Sequence, residues 1–282
     1  MKIPPPDPGL LSLNTATVRE KWSLREAIEG CARHGIRGIS PWRDKLAAMG
    51  VKDAARSIRD HGLTVSGLCR GGLFPAADRK GRQAAFDDNL RAIEEAAILG
   101  ARCLVLVAGG LPAGSKDLEG AREMVRDGVG EMLDRARGSG VPLAIEPLHP
   151  MYCADRACVN TLAQALDLCD ELDRGASGYL GVAVDVYHVW WDPALQGQIE
   201  RAGDKRLLAF HVCDWLVPTT DLLNDRGMMG DGVIALPRIR SWMEAAGYRG
   251  SHEVEIFSAR NWWKRDPDDV IGTLKRRHRE CC

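Results

Sequence analysis

The sequence predicts an α/β protein folded as one closed (β/α)8 TIM barrel. The prediction rests on a repeating strand and helix rhythm, on glycines placed where helices should stop, and on ligand-type residues ending the later strands. β-rich runs fall near residues 10–14, 36–40, 64–68, 102–107, 142–146, 180–185, 207–212 and 252–257. Between them lie stretches with apolar residues at helical spacing, such as Leu24–Ala32 and Leu90–Leu99. Gly35, Gly62, Gly100, Gly140, Gly181, Gly203 and Gly247 stand after those stretches and before the next run, as helix C-cap glycines do. Eight such units close a barrel. An open doubly wound sheet shares the alternation, but it calls for a phosphate-binding glycine pattern after an early strand; Gly71-Gly72 and Gly109-Gly110 read only as loop glycines.

Size and charge fit one soluble enzyme domain. A chain of 282 residues with 45% hydrophobic content can bury a large core, and barrels of about 250 residues are routinely single domains. We expect residues 1–282 to form that domain, with 1–9 as an N-terminal extension and 280–282 as a mobile tail carrying Cys281 and Cys282. The net charge of -1, with acids and bases interspersed, builds no field for nucleic acid or an anionic membrane. No apolar run is long enough to span a bilayer, and the start, Met1-Lys2-Ile3 followed by three prolines, lacks the apolar region of a signal peptide. A cytoplasmic location is expected. The nine scattered cysteines resemble neither a secreted disulfide framework nor paired zinc knuckles, and most are expected to be buried thiols.

The chemistry is concentrated in the second half. Leu143-Ala144-Ile145-Glu146, Val182-Ala183-Val184-Asp185, Leu208-Ala209-Phe210-His211 and Glu253-Val254-Glu255 each end in a metal-ligand residue. Barrel active sites lie at the C-terminal ends of the strands, so Glu146, Asp185, His211 and Glu255 should converge on a divalent cation. A lone acid there is usually an ion pair or a helix cap; four strands ending this way favour a metal. Strand alternation puts Ala144, Ala183 and Ala209 on the same inward face one layer deeper, leaving space that Glu253 fills if it also points inward. A shifted register would send Glu253 to a helix or to solvent.

Glu146-Pro147-Leu148-His149-Pro150, Asp185-Val186-Tyr187-His188, Phe210-His211-Val212-Cys213-Asp214-Trp215, Gly230-Asp231-Gly232-Val233-Ile234, and Gly247-Tyr248-Arg249-Gly250 with Glu255-Ile256-Phe257-Ser258 form an ordered set. Together they resemble the xylose isomerase-like barrel superfamily, and within it the sugar phosphate isomerase/epimerase group. The resemblance implies that Glu146, Asp185, His211 and Glu255 bind the metal, manganese first and magnesium or cobalt next. It implies that His188 and Arg226 bind substrate oxygens, and that Glu146 and Glu255 serve as the proton-transfer pair. The expected activity is isomerisation or epimerisation of a ketose or related hydroxy-carbonyl compound through an enediolate. The alternative is a metal-dependent lyase or dehydratase of the same superfamily, for example one eliminating from a 3-oxo-glycoside or deglycosidating a C-glycoside. Both begin with loss of a proton beside a carbonyl. The related three-zinc apurinic endonucleases need histidines on earlier strands that this chain lacks.

His149 departs from the epimerase pattern. It is either an extra acid or base near neutral pH, which would favour elimination, or a structural ring held between Pro147 and Pro150. Seven of eight tryptophans follow predicted strands, where their faces suit a sugar ring or anchor long loops; Trp42 and Trp215 are the two expected to contact substrate. His188 otherwise packs beside Tyr187 and Trp190, and Arg226 otherwise pairs with Asp225. Asp214 either orients a ligand or caps the following turn, and Asn14, Arg43 and Arg70 could bond at the rim, Arg43 alternatively contacting Trp42. The expected partner is a small sugar or glycoside, with no nucleic acid and no membrane. A homo-oligomer is the expected assembly, and a mixed complex with a second subunit the alternative.

Overall fold

A computed structural model describes residues 3–282. Its strands are β1 (Leu11–Asn14), β2 (Gly38–Ser40), β3 (Thr64–Val65), β4 (Leu68–Gly72), β5 (Leu104–Val107), β6 (Leu143–Glu146), β7 (Leu180–Asp185), β8 (Leu207–Val212), β9 (Asp214–Trp215), β10 (Arg226–Gly227) and β11 (His252–Val254). The helices are α1 (Leu24–Arg33), α2 (Arg43–Met49), α3 (Val51–Asp60), α4 (Arg79–Leu99), α5 (Leu118–Ser139), α6 (Leu162–Leu172), α7 (Val186–Val189), α8 (Leu195–Arg206), α9 (Leu236–Ala245) and α10 (Pro267–Cys281). The parallel sheet runs β3-β2-β1-β11-β8-β7-β6-β5-β4, and β9 and β10 form a small antiparallel ribbon beside it. The predicted barrel is therefore present, with its third strand broken into β3 and β4. Ser66 donates to the Ile39 carbonyl and Leu68 to the Cys103 carbonyl, both at 3.0 Å, so main-chain pairing continues through the break.

Local chemistry explains where the elements stop. Ser23 with Glu26, and Thr161 with Gln164, make reciprocal capping boxes at the starts of α1 and α6. Asp78 and Asp117 cap α4 and α5, and both helices end on a left-handed glycine, Gly100 and Gly140. Gly181 is no cap: it lies inside β7, where a Cβ would sit 2.3 Å from the Arg206 carbonyl oxygen. The strands bury both faces, as parallel strands wrapped by helices must. Outward residues such as Leu143, Ile145, Val184 and Phe210 meet Ile93, Val129 and Leu166 in the main core. A separate, smaller cluster fills the barrel: Cys69, Cys103, Val105, Ala144, Ala183 and Ala209.

The terminal segments pack into the outer helical layer, beside the start of β11. The expected mobile tail is packed instead: Cys281 closes α10 and Cys282 is 4% exposed. His252 Nδ1 and His278 Nε2 are 2.9 Å apart, beside Cys282. Of the expected extension, Met1 and Lys2 lie outside the described residues; Pro4 offers its carbonyl to the buried guanidinium of Arg240 on α9. Seven cysteines are buried, Cys153 and Cys281 are half-buried, and all nine are free thiols. Among the described residues no helix is long and apolar enough to cross a membrane.

Candidate metal centre and substrate cavity

Glu146 ends β6, Asp185 ends β7, His211 lies one residue before the end of β8, and Glu255 follows β11 by one residue. Because side chains alternate along a strand, this spacing points all four into the barrel mouth. One ligand atom from each lies within 4.8 Å of the others, and all four residues are buried. Glu253, one inward layer deeper, is level with His211 across the β11–β8 pair. It points inward: its Oε1 accepts from Asn14 Nδ2 at 2.7 Å and its Oε2 from Ser66 Oγ at 2.8 Å.

The polar contacts fix most of these groups but not all. Asn14 Oδ1 accepts from the Ala16 amide, so its NH2 must face the acids, where it reaches Glu255 Oε1 at 2.9 Å as well as Glu253. Trp42 Nε1 donates to the same Glu255 oxygen at 3.3 Å. Asp185 Oδ1 accepts from the Tyr187 amide, and Arg226 Nη1 donates to Asp185 Oδ2 at 2.9 Å and to Glu255 Oε2 at 3.1 Å. Glu146 Oε1 and His211 Nδ1 are 3.0 Å apart, yet among the described residues neither atom makes a hydrogen bond, and His211 Nε2 is also unpartnered. Buried polar atoms are rarely left so. Three carboxylates and an imidazole with unsatisfied lone pairs converging at this distance fit a divalent cation such as manganese, magnesium or zinc.

The charges point the same way. Burial pushes the Glu255 carboxyl up to about 8, reinforced by Glu146 and Asp185 and only partly offset by Arg226 and His211. Burial would push the His211 imidazole down, but Glu253, Glu146 and Glu255 outweigh it and hold the ring well above the ordinary histidine value. Burial would likewise raise Asp185, but Arg226, His188 and His211 keep its carboxyl below the usual range. The site draws positive charge inward.

His188 and Arg226 meet beside Asp185. His188 Nδ1 accepts from the His149 amide at 3.2 Å, so the neutral ring carries its proton on Nε2. Burial keeps it neutral, pushing its pKa down to about 3 despite the neighbouring Asp185 carboxylate. Nε2 is 3.2 Å from Arg226 Nη2, and a guanidinium only donates. Asp185 Oδ2, which accepts from Arg226 Nη1, is 3.6 Å from Nε2, so among the described residues neither Nε2–H nor Nη2 has an acceptor within hydrogen-bond distance. Arg226 begins β10, pairs with Trp215 in the ribbon, and lies over the Tyr187 ring at 4.5 Å and the Phe257 ring at 5.2 Å.

Glu146, Glu255, His188, Arg226 and Trp42 line one cavity of about 40 Å³, together with Arg70, Leu148, Tyr152, Arg156, Leu223 and Phe257. That holds a few waters rather than a sugar ring, so a larger occupant requires side chains to move. Asp185 and His211 lie beneath the cavity lining with the other ligand groups, and two residues expected at the substrate, His149 and Trp215, are not brought to it. The His149 ring stacks on Trp215 with centroids 4.9 Å apart, and its Nδ1 accepts from the Met151 amide, capping a short 3-10 turn. Trp215 is engaged by that stack and by Tyr187, at 4.6 Å. Arg43 pairs with Glu95 and Asp88 away from the site, and Arg19, not Arg43, lies over Trp42. Asp214 holds the glycine turn, accepting from the Gly230, Gly232 and Ile234 amides. Tyr152 and Arg156 were not singled out from sequence; their only signal is a place in the loop after Glu146.

The family model of the xylose isomerase-like TIM barrel matches residues 28–277. Inosose isomerase of Bacillus velezensis (strain DSM 23117 / BGSC 10A6 / LMG 26770 / FZB42) is 25% identical over 273 residues, covering 94% of both chains. A crystal structure of a Sinorhizobium meliloti 1021 protein is 60% identical, with a TM-score of 0.95, covering 98% of this chain and 99% of that one. The IolI protein, solved with a zinc atom, superposes with a TM-score of 0.81 at 24% identity, covering 95% of each chain. With the fold, the strand-end acids and a family match across most of its length, the chain belongs to the xylose isomerase-like TIM barrels.

Proposed function

We propose that this chain is a divalent-metal-dependent isomerase or epimerase of a ketose or related hydroxy-carbonyl compound, acting through an enediolate. The observation that carries the reading is the convergence of Glu146, Asp185, His211 and Glu255 within 4.8 Å, with unpartnered atoms on Glu146 and His211. The inosose isomerase relative, similar along nearly its full length, supports the substrate class. Manganese is the expected ion; the zinc atom of the IolI protein makes zinc the competitor.

A bound divalent cation would supply Lewis-acid charge that lowers the cost of negative charge on two adjacent substrate oxygens. Glu146 and Glu255 come from strands on different sides of the mouth and are the proposed proton carriers. One carboxylate takes the proton from the carbon beside the carbonyl, and a carboxyl returns a proton to the same or the neighbouring carbon, so the product has the atoms of the substrate. Asn14 and Trp42 hold Glu255 in place through its Oε1. His188 Nε2–H and Arg226 Nη2 are donors in want of an acceptor, and a substrate hydroxyl or carbonyl oxygen fits that need. Elimination as the alternative leaned on His149, and the stack of that ring on Trp215 leaves it no observation in its favour.

The test is turnover of manganese-loaded protein in heavy water against a panel of keto sugars, inososes and 3-oxo-glycosides. Solvent deuterium in a recovered isomer or epimer is the expected result. Release of water or an aglycone would replace the reading with elimination.

A further inference from the structure

Two of the arginines lining the cavity are not used by its acids. Glu255 and Asp185 are engaged by Arg226, Glu253 by Asn14 and Ser66, and Glu146 stands against His211. Arg70 and Arg156 line the same cavity, half-buried, and neither guanidinium pairs with a carboxylate among the described residues. Burial lowers the Arg70 pKa and Arg156 lowers it further, as like charges in one cavity do, only partly offset by Cys69 and Glu146. Beside them the Tyr152 hydroxyl has no hydrogen-bond partner among the described residues although the residue is only 8% exposed, and Arg156 lies over its ring at 5.8 Å.

The topology gives this group a side of the mouth. Arg70 is on β4 and Arg156 in the loop after β6, so they flank β5, across the barrel from β11 and Glu255. The end of β5 contributes Val105 and Val107 to the cavity and no acid. The Arg156 loop is firmly seated: Cys158 donates to the Gly109 carbonyl at 2.9 Å and Leu111 to the Ala154 carbonyl at 2.7 Å. A Cβ on Gly110 would lie 2.7 Å from the Arg156 amide nitrogen, so glycine is needed for that approach.

We propose that Arg70, Arg156 and the Tyr152 hydroxyl form an oxyanion subsite, which binds a phosphate monoester or a carboxylate at the end of the substrate remote from its reacting carbonyl. Two guanidinium groups and a hydroxyl offer the fixed donors such a group requires. The substrate would then lie across the mouth, its hydroxy-carbonyl end at Glu146 and Glu255 and its anionic end under β5. The subsite deepens the isomerase or epimerase reading and rests on it for the placement of the carbonyl.

Isothermal titration of inorganic phosphate and of malonate into the manganese-loaded full chain tests it, with manganese affinity measured in parallel. Saturable binding of at least one anion is expected, weakened about tenfold by Arg70→Gln and by Arg156→Gln, with manganese affinity unchanged in both. A preference for phosphate identifies a sugar phosphate, and one for malonate a sugar acid. Absence of saturable binding by both anions, or binding that survives both substitutions, overturns the subsite. Failure to bind manganese would instead count against the metal-dependent reading, so the two ideas fail separately.

Discussion

Asn14 and Glu255 meet across the seam where β1 pairs with β11, Nδ2 to Oε1 at 2.9 Å, and the same NH2 group bonds Glu253. One amide therefore sets the spacing of two buried carboxylates, and its own orientation is fixed by the Ala16 amide. Asn14→Leu keeps the volume and deletes both bonds. Partners behind metal ligands typically contribute 10–100-fold to affinity, so manganese affinity should fall by about that factor. Titration of metal into the folded variant checks it; unchanged affinity would mean that Glu255 is placed by Trp42 and Arg226 alone.

Glu146→Gln and Glu255→Gln should each lower turnover by about 10²–10⁴-fold, the usual worth of a positioned acid or base. Both glutamates are also proposed ligands, so metal content must be measured beside the rate. A variant that holds manganese but loses solvent exchange assigns the proton transfer. One that keeps both removes that residue from the mechanism.

The barrel and the four strand-end ligand residues, three acids and a histidine, were legible because both depend on local periodicity: a period of two fixes which side chain faces in, and parity with Glu255 sufficed to turn Glu253 inward. The break between β3 and β4 was not legible: residues 64–68 read as one strand and Gly71-Gly72 as loop glycines, whereas the second half of the strand, β4, starts at Leu68 and runs through both glycines. Arg156 and Tyr152 were missed because their loop is positioned by Gly109 and Gly110, remote in sequence. The burial of Cys282 was not legible because it follows from α10 docking against the outer face of β11, which composition does not register.

His149 stands three residues past Glu146, but its ring is committed to Trp215 and to the Met151 amide. Its amide still matters, since it sets the tautomer of His188. His149→Asn preserves that amide and should change kcat by less than about tenfold, below the range expected for a catalytic acid or base. A loss as large as that of Glu146→Gln, with metal retained, would return elimination to consideration.

The histidine pair between β11 and α10 should make stability depend on acid. Burial pushes the His252 imidazole down to about 3 and the His278 imidazole down to about 4, with Arg240 adding to both. In the unfolded chain each titrates near 6.5, so between that value and the folded ones the unfolded state binds more protons, and stability falls as pH falls. Each ring can contribute a slope of up to about 1.4 kcal/mol per pH unit in that window, and nothing above it. Chemical denaturation of metal-loaded protein from neutral pH to about pH 4.5 measures the slope. In the double variant His252→Phe, His278→Phe, if folded, it should be visibly flatter over the same range, whereas an equal slope would assign the acid sensitivity to the carboxylates at the other end of the barrel.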